Sequence, residues 1–515
     1  MQKMNGAESL VHTLVANGID VCFANPGTSE MHFVAALDRI PGIRCIPGMQ
    51  ENVVTGMADG YHRIARSPAA TLLHCGPGLA NGLANLHNAR RAHSGILNIV
   101  GDQASYHNQY DPPLAADTAA LARTVSAWVR TSTNAENVGR DASVAIQAAK
   151  THPGQIATLI LPADTAWTEG GVAGSALPAH SPEHVDQHTI IEIAKTLRGA
   201  KNVLLLLGSD ALRAEAQVHA ARIQEKTGCR IMTECLNGLH QRGRGRLPLS
   251  RVPYPPAPAI AALAGVEHLI LVGSKAPVGF FAYPGVPSKH YPENAQVQIL
   301  ARLEQDAEAA LVALADELGC APSATIPTGE RPATPTGLPS SLAFGQMLAA
   351  VMPEDSIVVD EGISFAYAFY EASHNAPPHD WMNVTGGAIG YGLPAATGAA
   401  VAGKGRRVIC PQADGSGMYT LQALWTQARE NLPVTTVILA NGKYQILLGE
   451  YASVGATPGQ TAMDMLDLGS PDLDWVKLAN GMGVEAARAT SLEACADLMR
   501  QSIKRDGPFV IELVI

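Results

Sequence analysis

The chain is short of several things. Aromatic residues make up 5% of its 515 positions and charged residues 16%. Its eight cysteines contain no Cys-x-x-Cys pair, and the closest two, Cys229 and Cys235, stand six apart. That spacing offers neither a thiolate metal site nor a disulfide framework. Free thiols in a reducing compartment, the cytoplasm, are the expectation. No long basic run offsets a formal net charge of −10, so nucleic acid is not an expected partner. No apolar run reaches the ~20 residues that span a bilayer. The opening residues, Met1-Gln2-Lys3-Met4-Asn5-Gly6, run into a helix-like segment without a secretory pattern. No membrane partner is expected.

What the chain does have is apolar content of 47%, with 49 glycines and abundant alanine. That composition suits close packing of helices on sheets rather than disorder. The length allows about three domains of ordinary size. Short apolar runs alternate with amphipathic stretches three times over. Val21–Phe23, Ala70–His74, Leu97–Val100 and Thr158–Leu161 are expected strands of a first unit. Asn202–Leu207, Arg230–Thr233, His268–Val272 and Gln296–Leu300 belong to a second. Ser356–Val359, Val408–Cys410, Thr435–Ala440 and Phe509–Val514 belong to a third. Strands alternating with helices imply parallel sheets covered on both faces. Two extended segments, 170–186 and 321–340, read as linkers. The fold expected is α/β, with three parallel-sheet domains at 1–169, 187–320 and 341–515.

The third unit carries Asp414-Gly415-Ser416 after the run Arg407–Cys410. A helix is expected over Met418–Glu430, and the strand Thr435–Ala440 then delivers Asn441-Gly442-Lys443. A carboxylate and an amide thus sit at the C-terminal ends of two strands, the edge where open parallel sheets bind ligands. Hard oxygen donors of this kind suit Mg²⁺ shared with phosphate oxygens. Taken alone, Asp-Gly also reads as a turn and Asn as a strand end. Near the N-terminus stand Asn25-Pro26-Gly27-Thr28-Ser29-Glu30, then Glu51 ahead of Ala58-Asp59-Gly60-Tyr61. His74-Cys75-Gly76-Pro77-Gly78 and Ala80-Asn81-Gly82 follow. A rival nucleotide loop, Gly398 to Lys404, continues with Gly405 instead of Ser or Thr and falls at a helix end.

In order and spacing, these segments resemble the thiamine diphosphate (ThDP) enzymes of the acetolactate synthase and benzoylformate decarboxylase superfamily. The likeness is strong in the first and last thirds and weak in the middle. It implies pyrimidine-binding, central and diphosphate-binding domains, with ThDP and Mg²⁺ as cofactors. It implies Asp414, Asn441 and the carbonyl of Lys443 as metal ligands, and Gly415, Ser416, Ser364 and Tyr444 as cofactor neighbours. Gly387 would hold the cofactor's amine through its carbonyl, and Ile389 would be the wedge that bends it. Glu51 would protonate the pyrimidine; as a bare sequence feature it is a glutamate favoured by a helix start. Where the family often has Gly-Asp-Gly and Asn-Asn, this chain has Ala413 and Ala440 in the first positions. FAD, which acetohydroxyacid synthases carry, is not expected, because no Gly-x-Gly-x-x-Gly follows a strand in 187–320.

On the substrate side the resemblance points to Thr28 and His74. A histidine there can relay a proton or simply bond to backbone. The second histidine of benzoylformate decarboxylases is missing from Val278–Pro284, where Phe280 and Phe281 either wall the pocket or belong to the core. The function implied is decarboxylation of a small 2-oxo acid through an enamine, with or without carboligation, in a homodimer or homotetramer. The alternative is a catalytically silent paralogue with a regulatory or assembly role.

Overall fold

The computed structural model describes residues 4–178 and 180–515. Six strands form the first sheet: β1 (Val21–Ala24), β2 (Arg44–Pro47), β3 (Ala69–Leu73), β4 (Ile96–Asp102), β5 (Trp128–Thr131) and β6 (Ile156–Pro162). They are parallel, in the order β2-β1-β3-β4-β6-β5. Next in the chain come β7 (Val203–Leu207), β8 (Arg230–Thr233), β9 (His240–Arg242), β10 (His268–Val272) and β11 (Gln296–Ala301). Four of these make a second parallel sheet, ordered β11-β10-β7-β8. The third sheet contains β12 (Ser356–Asp360), β13 (His379–Asn383), β14 (Val408–Ala413), β15 (Val434–Ala440), β16 (Glu485–Ala489) and β17 (Phe509–Val514). Its order is β16-β17-β15-β14-β12-β13-β9. The strand β9 leaves its neighbours in sequence and pairs antiparallel with β13.

The central strands are apolar because helices cover both faces. All five residues of β7 and of β12 are buried. The edges differ: β2, β5 and β16 are each partly exposed. The segment expected as one helix over 418–430 is helical only at Ala423–Arg429, after a short turn of helix at Asp414–Gly417. The intervening residues bend so that Thr420 Oγ1 donates to the Gly390 carbonyl at 3.0 Å.

First and third units share one continuous core. Helix Glu51–Ala65 crosses helix Gly392–Ala402 with glycines at the contact. A Cβ on Gly60 would lie 2.0 Å from the Ala395 carbonyl oxygen, and one on Gly398 1.8 Å from that of Met57. Larger side chains would push the two backbones apart. The second unit has a separate core. No described helix is long and apolar enough to cross a membrane.

Candidate active site

Gln50 caps helix Glu51–Ala65, its side chain accepting from the Val53 amide at 3.1 Å. That cap makes Glu51 the first helical residue and turns its carboxylate inward. Glu51 is 8% exposed. Oε2 accepts from Asn81 Nδ2 at 3.0 Å, whereas Oε1 has no donor among the described residues and lies 3.2 Å from where a Gly78 Cβ would be. The same Gly78 position is 3.5 Å from His74 Cβ, so Glu51 and His74 meet across one glycine. His74 is the N-cap of helix Cys75–Arg91. Its Nδ1 lies 3.0 and 3.1 Å from the two carboxylate oxygens of buried Glu30. Ser29 Oγ is 3.4 Å from the same nitrogen, while Thr28 is exposed on the turn. Burial pushes the Cys75 thiol up to about 11, which keeps it protonated.

A second group surrounds the loop 384–391. Gly387 has φ +73°, and a Cβ there would lie 2.4 Å from Phe280 Cζ. Phe280 and Phe281 are 43% and 59% exposed, so they are not core residues. Phe280 instead lies over the loop and, with Tyr254 and His290, lines a cavity of about 420 Å³. Ile389 is half-buried. One face of helix Cys75–Arg91 holds the loop. Asn85 Nδ2 donates to the Gly390 carbonyl at 3.1 Å, and Asn88 Nδ2 to that of Ala388 at 2.8 Å. From below, Glu361 accepts from the amides of Gly390 (2.9 Å), Tyr391 (3.1 Å) and Gly392 (2.7 Å), and from Gln412 Nε2 (2.9 Å). Glu361 thereby satisfies N–H groups at the start of helix Gly392–Ala402. Burial raises its carboxyl above the ordinary range, against the pull of those four donors.

The third group sits at the C-terminal ends of β14 and β15. Asp414 is 3% exposed. Its Oδ1 accepts from the Gly415 amide at 2.7 Å, and its Oδ2 from those of Asn441 (3.0 Å) and Gly442 (2.8 Å). Burial raises its carboxyl, and these amides pull the other way. Asn441 Oδ1 accepts from the exposed Lys443 amide at 3.1 Å. A Cβ on Gly415 would lie 2.5 Å from Tyr444 Cε1, so the Tyr444 ring closes over that backbone. Ser416 is buried and Ser364 exposed.

The motifs quoted from the sequence contain Glu30 and Asn81 without a role for either, and Glu361, Asn85 and Asn88 stand in none of them. The asparagines were detectable in principle, since their spacing puts them on one helix face. Arg63 ties these surroundings together. It pairs bidentately with Asp59, and its NH1 donates to the Asn383 carbonyl at 2.8 Å and its NH2 to Thr385 Oγ1 at 3.1 Å. A larger cavity, about 600 Å³, opens between the first and second units, but neither Glu51, His74, Asp414 nor Asn441 lines it. Chemistry, not volume, selects the site.

The residues present fit a divalent cation and a basic nitrogen heterocycle. Among the described residues, neither Glu51 nor Asp414 has a cationic partner. A buried carboxylate without one favours a ligand that brings positive charge or a proton. Asp414 and Asn441 offer the hard oxygens Mg²⁺ prefers. No hydrogen bond or ion pair among the described residues joins the Glu51 group to the Asp414 group.

Comparison with known proteins gives the geometry its family. The model of the thiamine pyrophosphate enzyme N-terminal TPP binding domain matches residues 4–121, and that of the C-terminal TPP binding domain matches residues 364–513. Thiamine pyrophosphate and thiamine diphosphate are one compound. A Mycobacterium tuberculosis chain with the provisional name acetolactate synthase large subunit IlvX is 49% identical, over 99% of both chains. Benzoylformate decarboxylase of Pseudomonas aeruginosa is 29% identical over 96% of both. The solved structure of a thiamine diphosphate-dependent 4-hydroxybenzoylformate decarboxylase from Rhodococcus jostii RHA1 superposes with a TM-score of 0.83 at 26% identity, covering 99% of this chain and 98% of that one. With a near-half-identical relative along the whole length and matches to both terminal domains, this chain belongs to the thiamine pyrophosphate enzyme family.

Proposed function

We propose that the protein is a ThDP- and Mg²⁺-dependent enzyme that decarboxylates a small 2-oxo acid, releasing an aldehyde or passing the carbon unit to a second carbonyl compound. The observation that carries this is the buried Glu51 carboxylate, with one oxygen unpaired beside His74. Bound ThDP would supply the electron sink for the loss of CO₂. Glu51 would hold a proton at the pyrimidine nitrogen. Ile389 would lie beneath the cofactor, and the Gly387 carbonyl would accept from its amine. Asp414, Asn441 and the Lys443 carbonyl would hold the metal, with Gly415, Ser416, Ser364 and Tyr444 around the diphosphate. His74 moves a proton on the substrate side, with Thr28 at the rim. In this reading 1–169 is the pyrimidine-binding, 187–320 the central and 341–515 the diphosphate-binding domain.

A site shared between two copies, in a homodimer or a pair of dimers, belongs to this reading on the strength of the family resemblance. Inactive Glu51→Gln and Asp414→Ala chains, mixed under subunit exchange, should regain one complete site per mixed dimer. Failure to recover activity after proven exchange argues against sharing.

The function itself is tested with a panel of 2-oxo acids, reading CO₂ and products with and without ThDP and Mg²⁺. CO₂ release that needs both cofactors is expected. Binding of neither cofactor, with no CO₂ from any acid, would favour the silent paralogue.

A further inference from the structure

We propose that Glu30 is a positioning residue for proton transfer, holding His74 through Nδ1 so that Nε2 is the nitrogen that carries the proton. This rests on the reading of His74 as the substrate-side proton carrier. Glu30 is 1% exposed. Its carboxylate receives the Gly27 amide at 2.8 Å, the Ser29 hydroxyl, and His74 Nδ1 at 3.0 Å. An ionised carboxylate only accepts hydrogen bonds. The proton in that contact therefore belongs to Nδ1, and the neutral ring keeps its lone pair at Nε2. Nε2 has no partner among the described residues, and the side chain is 22% exposed.

The backbone is shaped for this pair. A Cβ on Gly27 would lie 2.1 Å from His74 Cγ, and one on Gly101 1.7 Å from Glu30 Oε1. Glycine at both places lets the ring lie on one turn and the carboxylate on the end of β4. The other titratable groups facing the pair are Cys75, whose Sγ is 3.8 Å from Nδ1, then Asp102, and Glu51 across Gly78. The imidazolium gives its Nε2 proton to the carbanionic carbon left by CO₂ loss. The N–H bond breaks, a C–H bond forms, and the ring stays neutral with Nδ1–H on Glu30. Solvent then reprotonates Nε2.

The test uses the full chain with ThDP and Mg²⁺. Glu30→Gln keeps the shape but removes the charge, and can turn an NH₂ toward Nδ1. Glu30→Asp keeps the carboxylate one methylene shorter. Expected for Glu30→Gln is a fall in kcat for aldehyde formation on the order of 10²-fold, within what general acid–base catalysis supplies. ThDP affinity and hydrogen–deuterium exchange at the thiazolium carbon should stay as in wild type. The His74 ¹⁵N signals should lose the Nδ1–H tautomer pattern, and Glu30→Asp should recover part of kcat. An unchanged kcat and ¹⁵N pattern in Glu30→Gln would overturn the proposal. So would equal losses of kcat, cofactor affinity and exchange, which mark a merely structural residue. A wild-type chain that neither binds ThDP nor speeds the exchange would instead overturn the functional reading, and this proposal with it.

Discussion

Replacing Glu361 by glutamine should damage cofactor binding, although the side chain lies beneath the loop rather than in the cavity. Its two oxygens accept four hydrogen bonds, from the amides of residues 390–392 and from Gln412. A glutamine has one acceptor oxygen. If that oxygen keeps Gly390 and Tyr391, the new NH₂ faces Gly392 N–H and Gln412 Nε2. Gln412 can turn its amide over to accept, but the Gly392 N–H cannot. One buried donor left unsatisfied costs about 1–3 kcal/mol. Losing charge assistance on the remaining bonds adds about 1–2 kcal/mol, since charged acceptors bind roughly twice as strongly as neutral ones. The sum, about 2–5 kcal/mol, falls on the loop carrying Gly387 and Ile389. If the loop must be ordered to bind ThDP, affinity drops by roughly 30- to 3,000-fold at 1.4 kcal/mol per tenfold. Calorimetric titration with ThDP and Mg²⁺ reads this, with circular dichroism checking the fold. Unchanged affinity in a folded variant would refute the reasoning.

Two further outcomes are expected. Arg63→Met should lower stability by about 3–5 kcal/mol, because it strands Asp59 in the core without its cation; thermal unfolding measures it, and an unchanged transition would contradict the pairing at 2.6 Å. Asp360→Asn should change the pH dependence of stability. Burial pushes Asp360 from 3.8 to about 6, so the folded wild type holds its proton longer than the unfolded chain. That group's contribution is complete below about pH 4 and is lost as pH rises to about 6, by roughly 3 kcal/mol. The asparagine variant should therefore gain on wild type across that window and keep the advantage above it. A constant difference in melting temperature at all pH values would count against the shift.

Much of the fold was legible because buried parallel strands must be apolar. The Leu204–Leu207 run and β15 could hardly be anything else. The missed strands had physical reasons to hide. Edge strands β2, β5 and β16 face solvent and need no continuous apolar run. Strand β13, His379-Asp380-Trp381-Met382-Asn383, is fully buried yet carries polar letters, because Arg406 and Gln241 satisfy Asp380 at 2.8 and 3.0 Å. The helix expected over 418–430 is interrupted because Thr420 turns to bond Gly390, a partner 30 residues away.

Of the candidate site, Glu51, Asp414 and Asn441 were proposed from motif order. Glu30 stood in one of those motifs without a role and Glu361 in none, since an acidic residue announces nothing until its burial and donors are seen. The neighbouring hydroxyls Thr28 and Ser29 differ only in which way a single turn of 3₁₀ helix points them, and it is Ser29 that faces His74.

The most direct measurement is hydrogen–deuterium exchange at the thiazolium carbon of ThDP bound to the wild-type chain and to Glu51→Gln. The account expects the wild type to speed exchange far beyond that of free ThDP. The variant should bind the cofactor but exchange orders of magnitude more slowly, because an amide N–H can donate a hydrogen bond to the pyrimidine nitrogen but cannot protonate it. Wild-type exchange no faster than that of free ThDP, or equal exchange in the two chains, would contradict the central role given to Glu51.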